Sequence, residues 1–336
     1  MTGIQAIAYH LPEKILTNEE LAEVYQDWSA EKILTKTGIA QRHITVPGET
    51  AGDLAEAAAR KLFEQGAAKP GDIDFILLAT QTPDYLLPTT ACILQDRLGI
   101  PQSAGALDFN LGCSAYPYGL AMARGLIETG VAKNVLFLTA ETYTKHINPL
   151  DKSTRTIFGD GAAATLVSGQ GDGLHTLDAF RFGTDGSGWG ALVIPVSGAR
   201  NVRGADTSTP AADENGSMRS KEELFMEGTD VFNFTIRVVP PMVEGILGDC
   251  GLQKDDIDLF VFHQANQFML EFLRKKIKIP KEKFFVDMQD IGNTVSATVP
   301  ISLARAQAQG RLKKGDRVLL AGFGVGLSWS AAVLTW

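Results

Sequence analysis

One helix, turn and strand pattern occurs twice in this chain, and that repeat constrains the fold more than any other feature. LAEAAARKLFEQG leads through AAKPGD into IDFILLAT, while VVPPMVEGILGDCG leads through LQKDD into IDLFVFHQ. Asp72-Ile73-Asp74-Phe75 thus answers Asp256-Ile257-Asp258-Leu259. A second pair sets NVLFLTAE, after a helix ending in GLIETG, against RVLLAGFG, after a helix ending in AQAQGR. The closing segments also correspond, GDGAAATLVSG at 159–169 with GLSWSAAVLTW at 326–336. The strands are continuous apolar runs rather than alternating ones, so they are buried on both faces and helices must cover both sides of each sheet. The pattern predicts an α/β fold of two pseudo-equivalent halves, residues 1–170 and 171–336. Any α/β protein repeats helix–strand units, so pattern alone leaves chance likeness open.

A length of 336 residues accommodates two such cores. The net charge of -8 supplies no general basic surface for a phosphate backbone, which argues against nucleic acid as a partner. Cys92, Cys113 and Cys250 are an odd count at wide spacing without a CxxC pair. They fit neither a disulfide framework nor a zinc site, and they point to a reducing, cytoplasmic setting with no metal. The start, MTGIQAIAYHLPEKILT, lacks the cationic and then apolar pattern of a secretory signal, and no segment is long enough to span a bilayer. An exported or membrane-bound protein is therefore not expected. Residues 197–220, rich in Gly, Ser, Pro, Asp and Asn, predict a long surface excursion.

Three residues stand where chemistry gathers. Cys113 lies in LDFNLGCSAYPYGLAMARGLIETG, where a short strand gives way to an amphipathic helix. Unpaired N–H groups at a helix start favour thiolate over thiol, so this sulfur is expected to be an activated nucleophile. Cys92 and Cys250 are expected to be buried structural cysteines. His263 alone of five histidines ends a buried strand, in VFHQAN, and ligands of α/β sheets collect beyond the carboxyl ends of strands. A satisfied core histidine is the competing interpretation. Asn293, in DIGNTVSATVPISLARAQAQG, stands in the second half where Cys113 stands in the first, although a helix cap would also explain it. GFGVGLSW at 322–329 has glycines at alternate positions, a loop whose N–H groups can face a substrate oxygen or simply make a tight turn.

Taken together, Cys113 in Gly-Cys-Ser, His263 in HQAN, Asn293 in GNT, FGDGAAA at 158–164, TKTGIAQRHI at 35–44 and the terminal GFGVGLSW resemble the β-ketoacyl-acyl-carrier-protein synthase III family. The likeness spans nearly the whole chain. It implies a thiolase-like fold whose two pseudo-duplicated halves stack as five αβαβα layers. It also implies that Cys113 accepts an acyl group from acyl-CoA or acyl-carrier protein and passes it to malonyl-carrier protein by decarboxylative Claisen condensation. His263 and Asn293 would then stabilise the enolate. No tightly bound cofactor is implied, and a homodimer that meets an acyl carrier protein is.

The same residues separate relatives. Elongating ketosynthases pair the cysteine with two histidines, thiolases carry a second cysteine where this chain has GFGVG, and hydroxymethylglutaryl-CoA synthase needs a glutamate that ATQTPDYLLP lacks. Where relatives clamp the CoA nucleotide with an aromatic residue and arginines, this chain offers Lys32, Lys36 and Lys152, with Asn266 of HQAN nearby. Ammonium gives neither stacking nor bidentate phosphate contacts. Val325 replaces a usual glycine, Phe268 stands where a carrier-contacting arginine is usual, and Leu87 matches a residue that reaches across the dimer. The basic run Arg274, Lys275, Lys276, Lys278, Lys281 and Lys283 could attract an acidic carrier or be a solvated helix face. A second activity compatible with these residues is acyl transfer to an amine or hydroxyl, and a third is a partner subunit without turnover.

Overall fold

The Asp-Ile-Asp repeat folds the same way at both positions. The Lys69 N–H donates to the Asp72 carboxylate at 2.8 Å, and the Gln253 N–H donates to Asp256 at 2.8 Å, closing matching short turns. Ile73 and Ile257 are buried directly after them. Asp74 then accepts from the N–H groups of Lys133 and Asn134 at 2.8 and 2.9 Å, and Asp258 accepts from that of Arg317 at 2.8 Å. Each carboxylate thus fixes where one strand begins against its neighbour.

The structure is a computed structural model that describes residues 2–25, 27–170, 175–214 and 216–336. Its first five long-sheet strands are β1 (Gly3–His10), β2 (Phe75–Ala79), β3 (Gly105–Phe109), β4 (Asn134–Glu141) and β5 (Gly161–Ser168), in spatial order β1-β5-β4-β2-β3. The next five are β6 (His175–Thr184), β7 (Leu259–Phe262), β8 (Phe284–Phe285), β9 (Arg317–Gly324) and β10 (Ser328–Thr335), in order β6-β10-β9-β7-β8. The two orders are the same. The sets join only where β1 meets β6, through Gly3 opposite Thr176 and Ile4 opposite His175. The boundary expected at 170/171 adjoins residues 171–174, which lie outside the described residues.

Six helices complete the two units: α1 (Ala51–Glu64), α2 (Thr90–Arg97), α3 (Ala115–Glu128), α4 (Gly228–Asp249), α5 (Gln267–Ile277) and α6 (Thr298–Ala308). Strand side chains alternate between faces, and this sorts the layers. On β2, Ile76 and Leu78 pack with α1 and α2, whereas Leu77 and Ala79 pack with α3. On β7, Leu259 and Val261 turn to the same central core as α3 and α6, whereas Phe260 and Phe262 pack with α4 and α5. The result is five layers, with α3 and α6 sandwiched between two sheets. Both starts of the central helices therefore point into the middle of the molecule.

Two sequence expectations need correction. Cys92 lies exposed on α2 and Cys250 is only half-buried after α4, so neither is a core cysteine. A lone cysteine on an amphipathic helix packs or faces out according to its phase, which local composition does not reveal. The 197–220 excursion is largely exposed, as expected, but it is anchored. Its Ala211–Ala212 and Met218–Arg219 strands pair, and the Arg219 guanidinium bonds Asp213 and, at 3.2 Å, the buried Asp151. Among the described residues no helix is long and apolar enough to cross a membrane.

Because Ile73 and Ile257 occupy matching closed sites, Ile73→Ala and Ile257→Ala should each cost about 3 kcal/mol of stability. Urea midpoints measure this; a loss well under 1 kcal/mol at either site would show that the two turns are not equivalent keystones.

Candidate active site

Cys113 is 5% exposed and sits two residues before α3, with Ser114 capping. The alternating glycines of β9 explain how the second half reaches it. A Cβ on Gly322 would lie 2.6 Å from the Cys113 carbonyl oxygen, and one on Gly324 would lie 2.9 Å from Sγ. Residues i and i+2 share a strand face, so both glycines are needed for one close approach. A hydroxyl chain locks the contact: Ser114 Oγ lies 2.6 Å from Ser328 Oγ, which donates to the Val325 carbonyl at 2.9 Å, while Ser330 Oγ donates to the Ser114 carbonyl at 2.7 Å.

Burial pushes the Cys113 thiol up to about 12, with the Glu141 charge adding to the effect, while the N–H groups of Val325 and Cys113 itself favour the thiolate. The expected resting thiolate is thus overturned. Desolvation of a charge in this closed site outweighs the field of a helix start, so the cysteine rests as a thiol. Val325 nonetheless supplies an N–H toward the sulfur despite its side chain.

His263 follows β7 directly, and its N–H donates to the Ala321 carbonyl at 2.7 Å. Burial lowers its ring to about 3, with the Val295 carbonyl opposing, so the imidazole is neutral at ordinary pH. Its Nδ1 lies 2.8 Å from Thr298 Oγ1, whose hydroxyl donates to the Val295 carbonyl at 3.0 Å. In that arrangement Thr298 has no hydrogen left for the ring. Nδ1 therefore donates, and Nε2 carries a lone pair.

Asn293 is held between the halves by backbone bonds. Its N–H donates to the Ile157 carbonyl at 2.9 Å, and its carbonyl accepts from Gly159 at 3.0 Å. This gives FGDGAAA a structural role. Asp160, in the same segment, accepts from the backbone N–H and hydroxyl of both Thr45 and Thr144. Asn293 Oδ1 accepts from the Val295 N–H at 2.9 Å, which settles the carboxamide's orientation and leaves Nδ2 as the group with hydrogens to give. Among the described residues only a 3.4 Å contact to the Ala265 carbonyl engages it. Val295 itself has φ 55°, a left-handed conformation costly for a β-branched residue.

Cys113, His263 and Asn293 line one cavity of about 320 Å³, walled mainly by Ile157, Phe158, Leu192 and Phe323. Asn266 lines it too, while its Oδ1 caps α5 by accepting from Met269 at 2.8 Å. Lys32, Lys36 and Lys152 are not among the walls. They gather around Trp28, which is: the two former ammoniums stand 5.5 and 5.4 Å from its ring, and Lys152 pairs with Asp27 at 2.7 Å. Sequence reading passed over Trp28 because no motif contains it. Glu141 was also missed, although it ends the quoted NVLFLTAE strand. Its fully buried carboxyl accepts from Ser296 Oγ at 2.8 Å, the Gln81 N–H at 3.1 Å and Thr82 Oγ1 at 3.2 Å. Burial pushes it up to about 8. A charged residue closing an apolar strand was the available signal.

This fold, with a cysteine at the meeting point of two like halves, defines the acyl-transferring condensing enzymes of the thiolase fold as the class. The family model described as 3-oxoacyl-[acyl-carrier-protein] synthase III matches residues 107–186, and that for its C-terminal part matches 247–336. The β-ketoacyl-[acyl-carrier-protein] synthase III of Caldanaerobacter subterraneus is 40% identical over 99% of this chain and 97% of its own. That of Clostridium acetobutylicum is 37% identical over 97% and 96%. A crystal structure of a 3-oxoacyl-(acyl-carrier-protein) synthase III superposes with a TM-score of 0.98 at 52% identity, covering 100% of this chain and 99% of that one. The Thermus thermophilus enzyme gives 0.88 at 36% identity, covering 99% of both chains. The chain belongs to the β-ketoacyl-acyl-carrier-protein synthase III family, and it is a condensing acyltransferase.

Two outcomes follow from this geometry. Gly324→Ala should lower the rate of Cys113 acylation by about 100-fold with an unchanged circular-dichroism spectrum, because a methyl displaces the sulfur; near-normal acylation would show that the close approach is dispensable. Glu141 binds its proton more tightly folded than unfolded, so it contributes stability at pH 5 that is lost as pH rises toward 8. Glu141→Gln should flatten the fall in urea midpoint over that range, and an unchanged slope would assign the dependence elsewhere.

Proposed function

We propose that Cys113 is the nucleophile of the condensation, with His263 and Asn293 acting on the second substrate. The observation that carries this reading is that all three side chains line one cavity, contributed by both halves. In the first step His263 Nε2 takes the thiol proton as sulfur bonds the donor's acyl carbon. The donor's C–S bond breaks, and the proton leaves with the departing thiol. A neutral imidazole beside a buried thiol is the required pairing, because neither group holds a lasting charge there. The N–H groups of Cys113 and Val325, which act on the sulfur at rest, would receive the developing oxyanion.

In the second step a malonyl thioester loses its carboxylate as carbon dioxide, and the electron pair left behind forms an enolate. The enolate carbon bonds the acyl carbonyl, the Cys113 C–S bond breaks, and the thiolate takes a proton from solvent. Asn293 Nδ2 donates to the enolate oxygen. For the imidazole to become a second donor, solvent gives a proton to Nε2 and takes the Nδ1 hydrogen, and the Thr298 hydroxyl then turns from Val295 to donate to Nδ1. One ring thereby serves as base first and as donor afterwards.

Trp28 with Lys32, Lys36 and Lys152 would meet the donor's nucleotide if it arrives on CoA, the indole supplying the stacking surface that lysines lack. Asn266 would meet the arm within the cavity. For the carrier protein, the basic run offers Lys275, Lys276, Lys278 and Lys281. Arg274 pairs with Glu271, and Lys283 donates to the Asp255 and Ile257 carbonyls. Exposed Phe268 adds an apolar contact beside them. A homodimer through the edge strand β3 would cover Leu86 and Leu87, which are 81% and 82% exposed in one chain. A cytoplasmic setting accompanies this reading.

Intact-protein mass after incubation with acyl thioesters should show one acyl adduct, absent in Cys113→Ala. Asn293→Ala should keep that adduct and release carbon dioxide from malonyl-carrier protein about 100-fold more slowly. An adduct surviving in Cys113→Ala would sink the assignment. Transfer to an amine or hydroxyl without loss of carbon dioxide would establish simple acyl transfer instead.

A further inference from the structure

Residues packed beside Cys113 wall a second cavity, whose lining differs from the first. This space, about 260 Å³, is walled by Gln81, Asn110, Tyr143, His146, Leu192 and Val325 among others. Two of its wall residues, Gln81 and Val325, pack against the glycine that precedes Cys113. A Cβ on Gly112 would sit 2.3 Å from Gln81 Oε1 and 2.8 Å from Val325 Cγ1, and Cys113 packs in one cluster with Tyr143, Leu192 and Val325. Leu192 is common to both cavities.

A thioester carbonyl carries two substituents, the carrier arm and the acyl group, and they leave it in different directions. The cavity bordered by Trp28 has cations at that end, which fits a phosphate-bearing arm. The acyl group on Cys113 then has the second cavity to enter. Its aliphatic walls, Leu192, Val193, Ile194, Leu224 and Val325, suit an alkyl stem, but a polar set stands among them. Tyr143 Oη donates to Gln81 Oε1, and Gln81 Nε2 donates to Asn110 Oδ1 at 3.1 Å. Among the described residues that relay leaves the second Gln81 N–H and both N–H groups of the exposed Asn110 without a protein acceptor. The His146 imidazole makes no hydrogen bond among the described residues, and burial keeps it neutral, so it offers one donor and one acceptor. An alkyl group would strip water from these groups and return nothing, whereas an oxygen-bearing group replaces the lost bonds.

We propose that the acyl group loaded onto Cys113 carries a hydroxyl or carbonyl oxygen beyond the thioester, bound by His146, Gln81 and Asn110 in this second cavity. The inference rests on Cys113 being the acylated residue. It assigns His146, which no motif singled out, to substrate choice.

The test uses matched donors on CoA: pentanoyl against 4-oxopentanoyl, and hexanoyl against 5-hydroxyhexanoyl. The rate of Cys113 acylation, followed by intact mass, gives kcat/KM for each. The oxygenated member of at least one pair should be favoured by about tenfold or more, the size of one well-made hydrogen bond. His146→Leu should bring that ratio near one, and Gln81→Leu should reduce it, because the ratio is insensitive to the amount of folded enzyme. Equal or faster acylation by both plain alkyl donors would overturn the proposal, as would a preference that survives His146→Leu and Gln81→Leu unchanged. Failure of every donor to mark Cys113 would sink the nucleophile assignment as well, whereas acylation without preference would sink this inference alone.

Discussion

The site depends on how closely two sheets' worth of backbone can be brought to one sulfur. Gly322 and Gly324 remove the side chains that would hold β9 off Cys113, and the Ser114, Ser328 and Ser330 hydroxyls fasten the approach. Ser296 reaches across to Glu141, and Asn293 is threaded between Ile157 and Gly159. These contacts all cross from one half to the other. The seam between the halves therefore brings Cys113, His263 and Asn293 together, while the outer helices α1 and α2 shield one sheet and α4 and α5 shield the other and also wall the cavity.

Desolvation then sets the protonation states. The same closure that positions Cys113, His263 and Glu141 removes the water that would stabilise their charged forms, and all three settle near neutral. A permanently ionised cysteine–histidine pair would be costly here. A neutral pair can exchange one proton when substrate arrives and return it when the thiol departs. Thr298 matters because the direction of a single hydroxyl hydrogen goes with which ring nitrogen carries the imidazole hydrogen.

Much of the architecture was legible in the sequence because burial on both faces writes continuous apolar runs, and the Asp-Ile-Asp turn is a local device that repeats recognisably. That Cys113 and His263 line one cavity was legible for a related reason, since each follows such a run where α/β sheets open to ligands, and Asn293 was found by its correspondence with Cys113. Trp28, Glu141 and His146 were not. Their roles come from surroundings that no local pattern reveals, most of them built by residues distant in the chain. The thiolate expectation failed on the same ground, since a helix start is readable from sequence and the depth at which it is buried is not. Cys92 and Cys250 failed in the opposite sense, having been assigned to the interior by residue type alone.

The matching strand orders of the two halves carry a further consequence. A frame with twofold likeness has one address, the start of a central helix, occurring twice, and it offers both copies to the same small volume. A condensation needs unlike partners, one side to hold an electrophile covalently and one to steady a carbanion. On the proposed reading, filling the same address with sulfur in one copy and carboxamide in the other sets the direction of bond formation while the strand order of the scaffold stays balanced.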